Sequence, residues 1–167
     1  MHSMSADEWH AFVTRGAPTG RFATVGGDGT PNITPVWYVF DGEAFLFTTG
    51  SATAKARNLR RNPRASLCVA DDAPPFAYVE ARGEVTLSGD LDELLDVATR
   101  AGARYMGADR AKEFGKRNAV PGELVVRLRP TKVIAYGGVT EDEQGDHFLA
   151  FKNPVKFTAD LHGFLSA

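Results

Sequence analysis

The sequence predicts a mainly β protein, an antiparallel sheet curled into a closed or nearly closed barrel with helices outside it. Three observations carry that reading. About six short runs rich in β-branched and aromatic residues recur along the chain. Strong turn signals separate them, above all Asp41-Gly42 and Pro121-Gly122. Helical periodicity is confined to a few short segments. A chain of 167 residues, 43% of them hydrophobic, is long enough for one domain with a real core. We expect residues 1–140 to form that domain and 141–167 to be a C-terminal tail packed on the barrel or on a neighbour.

Each element has a local cause. Ser5-Ala6-Asp7-Glu8 is a capping-box pattern, and Trp9, Phe12 and Val13 follow at helical spacing. The segment from Gly16 to Gly20 breaks that helix. Arg21–Val25 alternates as a short strand, and Gly26-Gly27-Asp28-Gly29 turns. These glycines are not a dinucleotide fingerprint, because Pro31 and a β-rich run follow instead of a helix. Pro31–Phe40 is read as one strand. Ile33, Pro35, Trp37 and Val39 lie on one face; Asn32, Thr34, Val36, Tyr38 and Phe40 lie on the other. Pro35 cannot donate to a ladder, so the strand is open or bulged there. After the Asp41-Gly42 turn, Ala44–Thr49 returns as its partner.

A helix ends at Pro63, and Ala65–Ala70 is the next strand. Asp71-Asp72-Ala73-Pro74-Pro75 is a loop. Phe76–Leu87 is a long strand, with Gly83 marking a bulge or a close approach. Asp90–Arg100 carries Leu91, Leu94, Leu95 and Ala98 at helical spacing, and Ala108–Lys116 is a second helix. Glu123–Val133 alternates as a strand, and Ile134–Val139 closes the sheet. From Thr140 onward the periodicity fades into an acidic loop, Glu141 to Asp146, and an apolar but aperiodic tail.

The chemistry concentrates at one turn, Thr48-Thr49-Gly50-Ser51-Ala52-Thr53-Ala54-Lys55. It joins a strand to a helix. Gly50 permits the sharp turn, and Ser51 or Thr53 can cap the helix. Ala52, Ala56 and Leu59 make a narrow apolar stripe. Unpaired N–H groups and the positive end of the helix dipole converge on one place. Hydroxyls from Thr48, Thr49, Ser51 and Thr53 surround it, and Lys55 adds a full charge. That combination suits a phosphate. An ordinary capped helix with a solvated lysine has the same signature, and no Walker pattern is present. Arg57, Arg61 and Arg64 form a basic stripe, which is either a solvated face or a groove for an anionic ligand tail.

Composition excludes other classes. The net charge of -2 gives no reason to expect nucleic acid as a partner. The single cysteine, Cys68, rules out a disulfide framework or a cysteine-based zinc site, and the four histidines are scattered. No metal site is expected. No apolar run approaches the ~20 residues of a membrane span, and no signal peptide is visible. The expectation is a soluble, cytoplasmic protein.

Taken together, several segments resemble a known family. They are Gly20-Arg21-Phe22-Ala23-Thr24, Thr34-Pro35-Val36-Trp37-Tyr38-Val39-Phe40-Asp41-Gly42, Lys55 to Ser66, Tyr78 to Gly83, and Leu124 to Tyr136. This order resembles the pyridoxamine-phosphate-oxidase-like split-barrel superfamily, and within it the flavin/deazaflavin oxidoreductases that use coenzyme F420. The resemblance covers Thr19 to Gly138. It implies a homodimeric split β-barrel with two cofactor sites at the dimer interface. Thr48, Thr49, Gly50, Ser51 and Lys55 match the family's phosphate site, with Asn58, Arg57 and Arg61 on the same helix. Pro35, Val36, Trp37 and Tyr38 match its ring-contacting strand, and Phe76 lies in the region that reaches the site from the other subunit. Where some members carry an arginine two residues before the helix lysine, this chain has Thr53.

The resemblance thus implies an oxidoreductase that binds coenzyme F420, a deazaflavin, and transfers hydride to a small unsaturated or quinone-like acceptor. An FMN-dependent oxidoreductase of the same fold is the alternative. A non-catalytic carrier of flavin, deazaflavin or haem is the reading from another class. No catalytic side chain is assigned. Tyr38 and Arg104 could supply a proton, but Arg104-Tyr105 reads first as a surface pair.

Overall fold

The computed structural model describes residues 1–140. It contains eight strands and four helices in the order β1 (His2–Ser3), α1 (Ala6–Thr14), β2 (Gly20–Val25), β3 (Pro31–Val36), β4 (Val39–Phe40), β5 (Phe45–Gly50), α2 (Ala54–Arg61), β6 (Arg64–Ala70), β7 (Tyr78–Ser88), α3 (Leu91–Met106), α4 (Ala111–Asn118) and β8 (Glu123–Gly137). The expected acidic loop and tail lie outside the described residues.

All pairings are antiparallel, in the order β3-β2-β6-β7-β8-β5-β4, with β1 added on β8. The two ends of this order, β3 and β4, are consecutive in the chain and separated only by Trp37 and Tyr38. The sheet therefore has to curl until its edges meet, and the chain crosses the seam at these residues. The single strand expected over Pro31–Phe40 is two strands, one on each edge. Its alternation breaks at the crossing: Val36 is buried, Trp37 is 41% exposed, and both Tyr38 and Val39 are buried.

The barrel interior is filled by Phe22, Phe45, Phe47, Leu67, Val79, Val126 and Leu128. A second, smaller core of Val39, Leu46, Leu94, Val97 and Val125 joins α3 to the outside of β5 and β8. This explains why Ala44-Phe45-Leu46-Phe47 is an unbroken apolar run: both faces of β5 are covered. The α1 capping box forms as expected, with Ser5 and Glu8 satisfying each other's backbone N–H.

Gly83 is a close approach. A Cβ there would lie 1.8 Å from the Arg129 carbonyl oxygen, and the register slips at this point, so Thr131 has no partner between the Arg82–Lys132 and Gly83–Pro130 pairs. Pro130, which has no N–H to give the ladder, sits at the slip.

Several boundaries differ from those expected, and α4 begins at Ala111, three residues after the expected Ala108. Strand β8 runs unbroken through Val133-Ile134. Phe76 precedes β7 in a loop with left-handed backbone, φ 48°. Helix α3 continues past Arg100 to Met106. Gly102 does not stop it, because that glycine packs against α4: a Cβ there would meet the Phe114 Cβ at 2.8 Å. The true stop is Gly107, at φ 98°.

Candidate functional site

Of the two candidate caps, Ser51 and Thr53, the structure takes the second, and α2 starts at Ala54. Thr53 is the N-cap, accepting from the Ala56 N–H at 3.3 Å while its hydroxyl donates to the Gly50 carbonyl at 2.9 Å. Thr53 thus serves the helix. Ala52 precedes the helix and is exposed, so the buried stripe is Ala56, Asn58 and Leu59. The Ser51 N–H is taken by the Gly122 carbonyl at 2.7 Å, which ties the turn to the start of β8.

A cleft of about 400 Å³ opens over this turn. One wall is Pro35, Val36 and Trp37 from the seam. The floor is Thr48, Thr49 and Gly50 with Lys55. The far wall comes from α3 and α4, through Ala101, Gly102, Phe114 and Asn118, and Glu123 closes the end. Two segments separated by a hairpin in sequence, Pro35–Trp37 and Thr48–Gly50 with Lys55, therefore meet on one cavity, and Ser51 does not line it.

Lys55 is half-buried there. Its Nζ donates to Thr49 Oγ1 at 3.4 Å, a long contact, and Thr49 Oγ1 lies 3.2 Å from Thr53 Oγ1. Burial lowers the ammonium's pKa from its ordinary value, and the nearby Glu123 carboxylate partly opposes that shift. A cation held mainly by one weak hydroxyl contact suits an incoming anion. Outside the turn, Arg60 donates to the Ser51 carbonyl at 2.7 Å and Arg57 donates to that of Ala52, so two further positive charges flank it.

Trp37 forms the aromatic wall. Its ring stacks on Tyr105 at 5.0 Å between centroids and 2° between planes, and Phe114 tilts toward it at 5.9 Å. Tyr105 is itself fixed, donating to the Pro18 carbonyl at 2.8 Å and accepting from the Tyr38 N–H at 3.2 Å. Arg104 bridges the same crossing, donating to the carbonyls of Gly16 at 3.0 Å, Tyr38 at 3.0 Å and Val13 at 2.7 Å. The pair is a clamp between α3 and the seam, not the surface pair expected.

Other expected site residues lie away from the cleft. The Tyr38 ring is fully buried in the barrel, its hydroxyl donates to the Val13 carbonyl at 2.6 Å, and burial pushes its pKa up to about 12. Asn58 is buried; its amide donates to Thr24 at 3.1 Å and its oxygen accepts from Arg61 at 2.7 Å. Arg61 packs beside Gly27 in the β2–β3 turn, and Arg64 begins β6, so the expected stripe of Arg57, Arg61 and Arg64 is divided. Phe76 lies at the Tyr78–Tyr136 end of the β7–β8 ladder, far along it from Glu123. The walls from α3 and α4, and Glu123, were not legible: nothing in their spacing announces which face meets β5.

Among the described residues, no helix is long and apolar enough to cross a membrane.

Known proteins share this architecture. The family model described as pyridoxamine 5'-phosphate oxidase matches residues 5–137. A conserved hypothetical protein of Mycobacterium tuberculosis is 28% identical, superimposing with a TM-score of 0.73 over 86% of this chain and 94% of that one. A protein named F420 reductase is 29% identical, with a TM-score of 0.58 over 74% of this chain and 94% of that one. The haem storage protein HutZ from Vibrio cholerae shares the fold, at 18% identity and a TM-score of 0.62 over 79% and 96%. A match over most of the described chain, on a barrel of this topology, shows that the protein belongs to the pyridoxamine 5'-phosphate oxidase family of split-barrel proteins.

Proposed function

We propose that the cleft binds a flavin-type cofactor through its phosphate, and that the protein is an oxidoreductase using the deazaflavin F420 to reduce a small unsaturated or quinone-like acceptor. The observation that carries this reading is the convergence of Pro35–Trp37 with Thr48, Thr49, Gly50 and Lys55 on one cavity. The donor set fits the group. Lys55 supplies a half-buried charge with a single long hydrogen bond, and the first turn of α2 adds N–H groups that its cap does not use. Trp37, held flat by Tyr105, would support the ring system, with the backbone of Val36 and Trp37 beside its polar rim.

When bound, the cofactor supplies the hydride chemistry; the protein binds it, orients it and excludes water. Lys55 would anchor the phosphate, Trp37 would fix the ring plane, and α3 and α4 would wall off solvent. Arg104 and Tyr105 would act only by holding the seam. The F420 reductase among the similar structures, at 29% identity, supports the deazaflavin over FMN.

A homodimer completes this reading. Ile33 is 65% exposed and Val25 40% exposed in the single chain. Val25 lines a hollow of about 420 Å³ bounded by β2, β6 and β7, with Ala23, Ser66 and Arg82, and Ile33 pairs with Ala23 at its edge. We assign this face to a second copy, whose Phe76 region would approach the cleft.

Titration of the purified protein with reduced and oxidised F420 and with FMN tests the cofactor assignment. Binding of F420 tighter than FMN supports it. Equal or tighter FMN binding moves the assignment to an FMN oxidoreductase, and binding without turnover of any acceptor moves it to a carrier.

A further inference from the structure

The cleft contains a group that opposes an anion. Glu123 lines it beside Lys55. It pairs with Gly50 across β5 and β8, and a Cβ at Gly50 would lie 3.5 Å from Glu123 Oε1. The carboxylate therefore lies against the same turn that carries Thr48, Thr49 and Lys55 into the cleft. The Glu123 backbone N–H is taken by the Val120 carbonyl at 3.1 Å. Among the described residues, the acid ion pairs within 4 Å are made by other carboxylates, such as Glu93 with Arg127. Glu123 does not close to that distance on Lys55; it acts on the ammonium through space and lines the cleft open to whatever occupies it.

We propose that Glu123 makes the cleft select by phosphate charge, disfavouring a phosphate monoester more strongly than a phosphodiester. The inference rests on the phosphate site proposed above and adds a determinant to it. A monoester carries about -1.5 to -2 charges at neutral pH, whereas a diester carries only one. FMN ends in a monoester. In F420 the phosphate continues into a further tail and is a diester. Every other charged group at the turn, Lys55, Arg57 and Arg60, attracts both. Only Glu123 penalises the extra charge. For two unit charges a few ångströms apart in a largely wet cleft, the interaction changes affinity by roughly fivefold. The penalty is thus about fivefold for the diester and about twentyfold for the monoester.

The test uses the full chain with Glu123→Gln, which removes the charge and keeps the shape, and Glu123→Asp, which keeps the charge. Dissociation constants are measured by fluorescence for FMN, F420 and riboflavin, with a thermal melt of each variant. Glu123→Gln should tighten FMN by about twentyfold and F420 by about fivefold, leave riboflavin unchanged, and melt like wild type. Glu123→Asp should keep the wild-type ratio of FMN to F420 affinity. If wild type binds the cofactors and Glu123→Gln leaves that ratio unchanged, or tightens riboflavin as much as FMN, the selectivity role is overturned while the cofactor site stands. If wild type binds none of the three, the cofactor reading itself falls, and this role with it.

Discussion

Arg104→Ala should destabilise the protein by about 3 kcal/mol and loosen the cleft at the same time. The guanidinium donates to three carbonyls, of Gly16, Tyr38 and Val13, and its Cζ lies 4.5 Å above the Tyr38 ring. The Gly16 bond is exposed, so water replaces it at little cost. The bonds to Tyr38 and Val13 are partly buried; each is worth about 1 kcal/mol net. The contact with the ring adds roughly 1 kcal/mol where it is partly desolvated. The sum of about 3 kcal/mol corresponds to a fall of roughly 10 °C in Tm for a domain of this size. Arg104→Lys should recover only a fraction, because one ammonium cannot span three separated acceptors. Urea unfolding followed by tryptophan emission reads both effects, since the clamp sets the stacking of Trp37 on Tyr105. A stability within about 0.5 kcal/mol of wild type would refute the clamp and make the pair an ordinary surface feature.

Other consequences follow from neighbouring contacts. Tyr38 has a folded pKa raised to about 12 from 10.0 by burial, so its contribution is fully present below pH 10 and is lost as pH rises from 10 toward 12. Wild type should therefore lose about 2–3 kcal/mol more than Tyr38→Phe across that interval in alkaline unfolding experiments; parallel curves would contradict the buried phenol. Gly83→Ala should prevent folding or cost more than ~3 kcal/mol, because its Cβ would lie 1.8 Å from the Arg129 carbonyl oxygen; a wild-type melt would refute the close approach. Arg61→Ala should weaken cofactor binding less than loss of Lys55, because Arg61 is bonded to Asn58 outside the cleft; an equal loss in titrations would show that the ligand reaches it. Light scattering at micromolar concentration should give twice the chain mass; a clean monomer would leave the face around Ile33 without the second copy assigned to it.

Much of the barrel was legible because its causes are local. Ser5 with Glu8 and the Asp41-Gly42 turn each act within a few residues, and each was readable; the α2 cap was read as Ser51 or Thr53, and the structure makes it Thr53. Gly83 was readable as a special position, although its partner Arg129 was not. What could not be read depends on register. Pro31–Phe40 alternates like one strand, and only the meeting of the two sheet edges shows that Trp37 and Tyr38 cross between them. The last turns of α3, beyond the expected end at Arg100, were not read either, because there Gly102 packs the helix against α4. The phosphate turn was visible because one short stretch holds Thr48 through Lys55. Glu123 was invisible as a site residue because only the β5–β8 register brings it to Gly50.

The measurement that bears most directly on the cofactor site is a titration of wild type and Lys55→Ala with F420, accompanied by thermal melts. A charge-assisted hydrogen bond to phosphate is worth ~1.5–3 kcal/mol. Lys55→Ala should therefore bind roughly ten- to a hundredfold more weakly. It should melt at or slightly above the wild-type temperature, because a half-buried ammonium with one contact at 3.4 Å adds little to the ligand-free fold. If the variant melts like wild type and binds as tightly, the turn is a capped helix and nothing more, and the cleft over it is not the phosphate site.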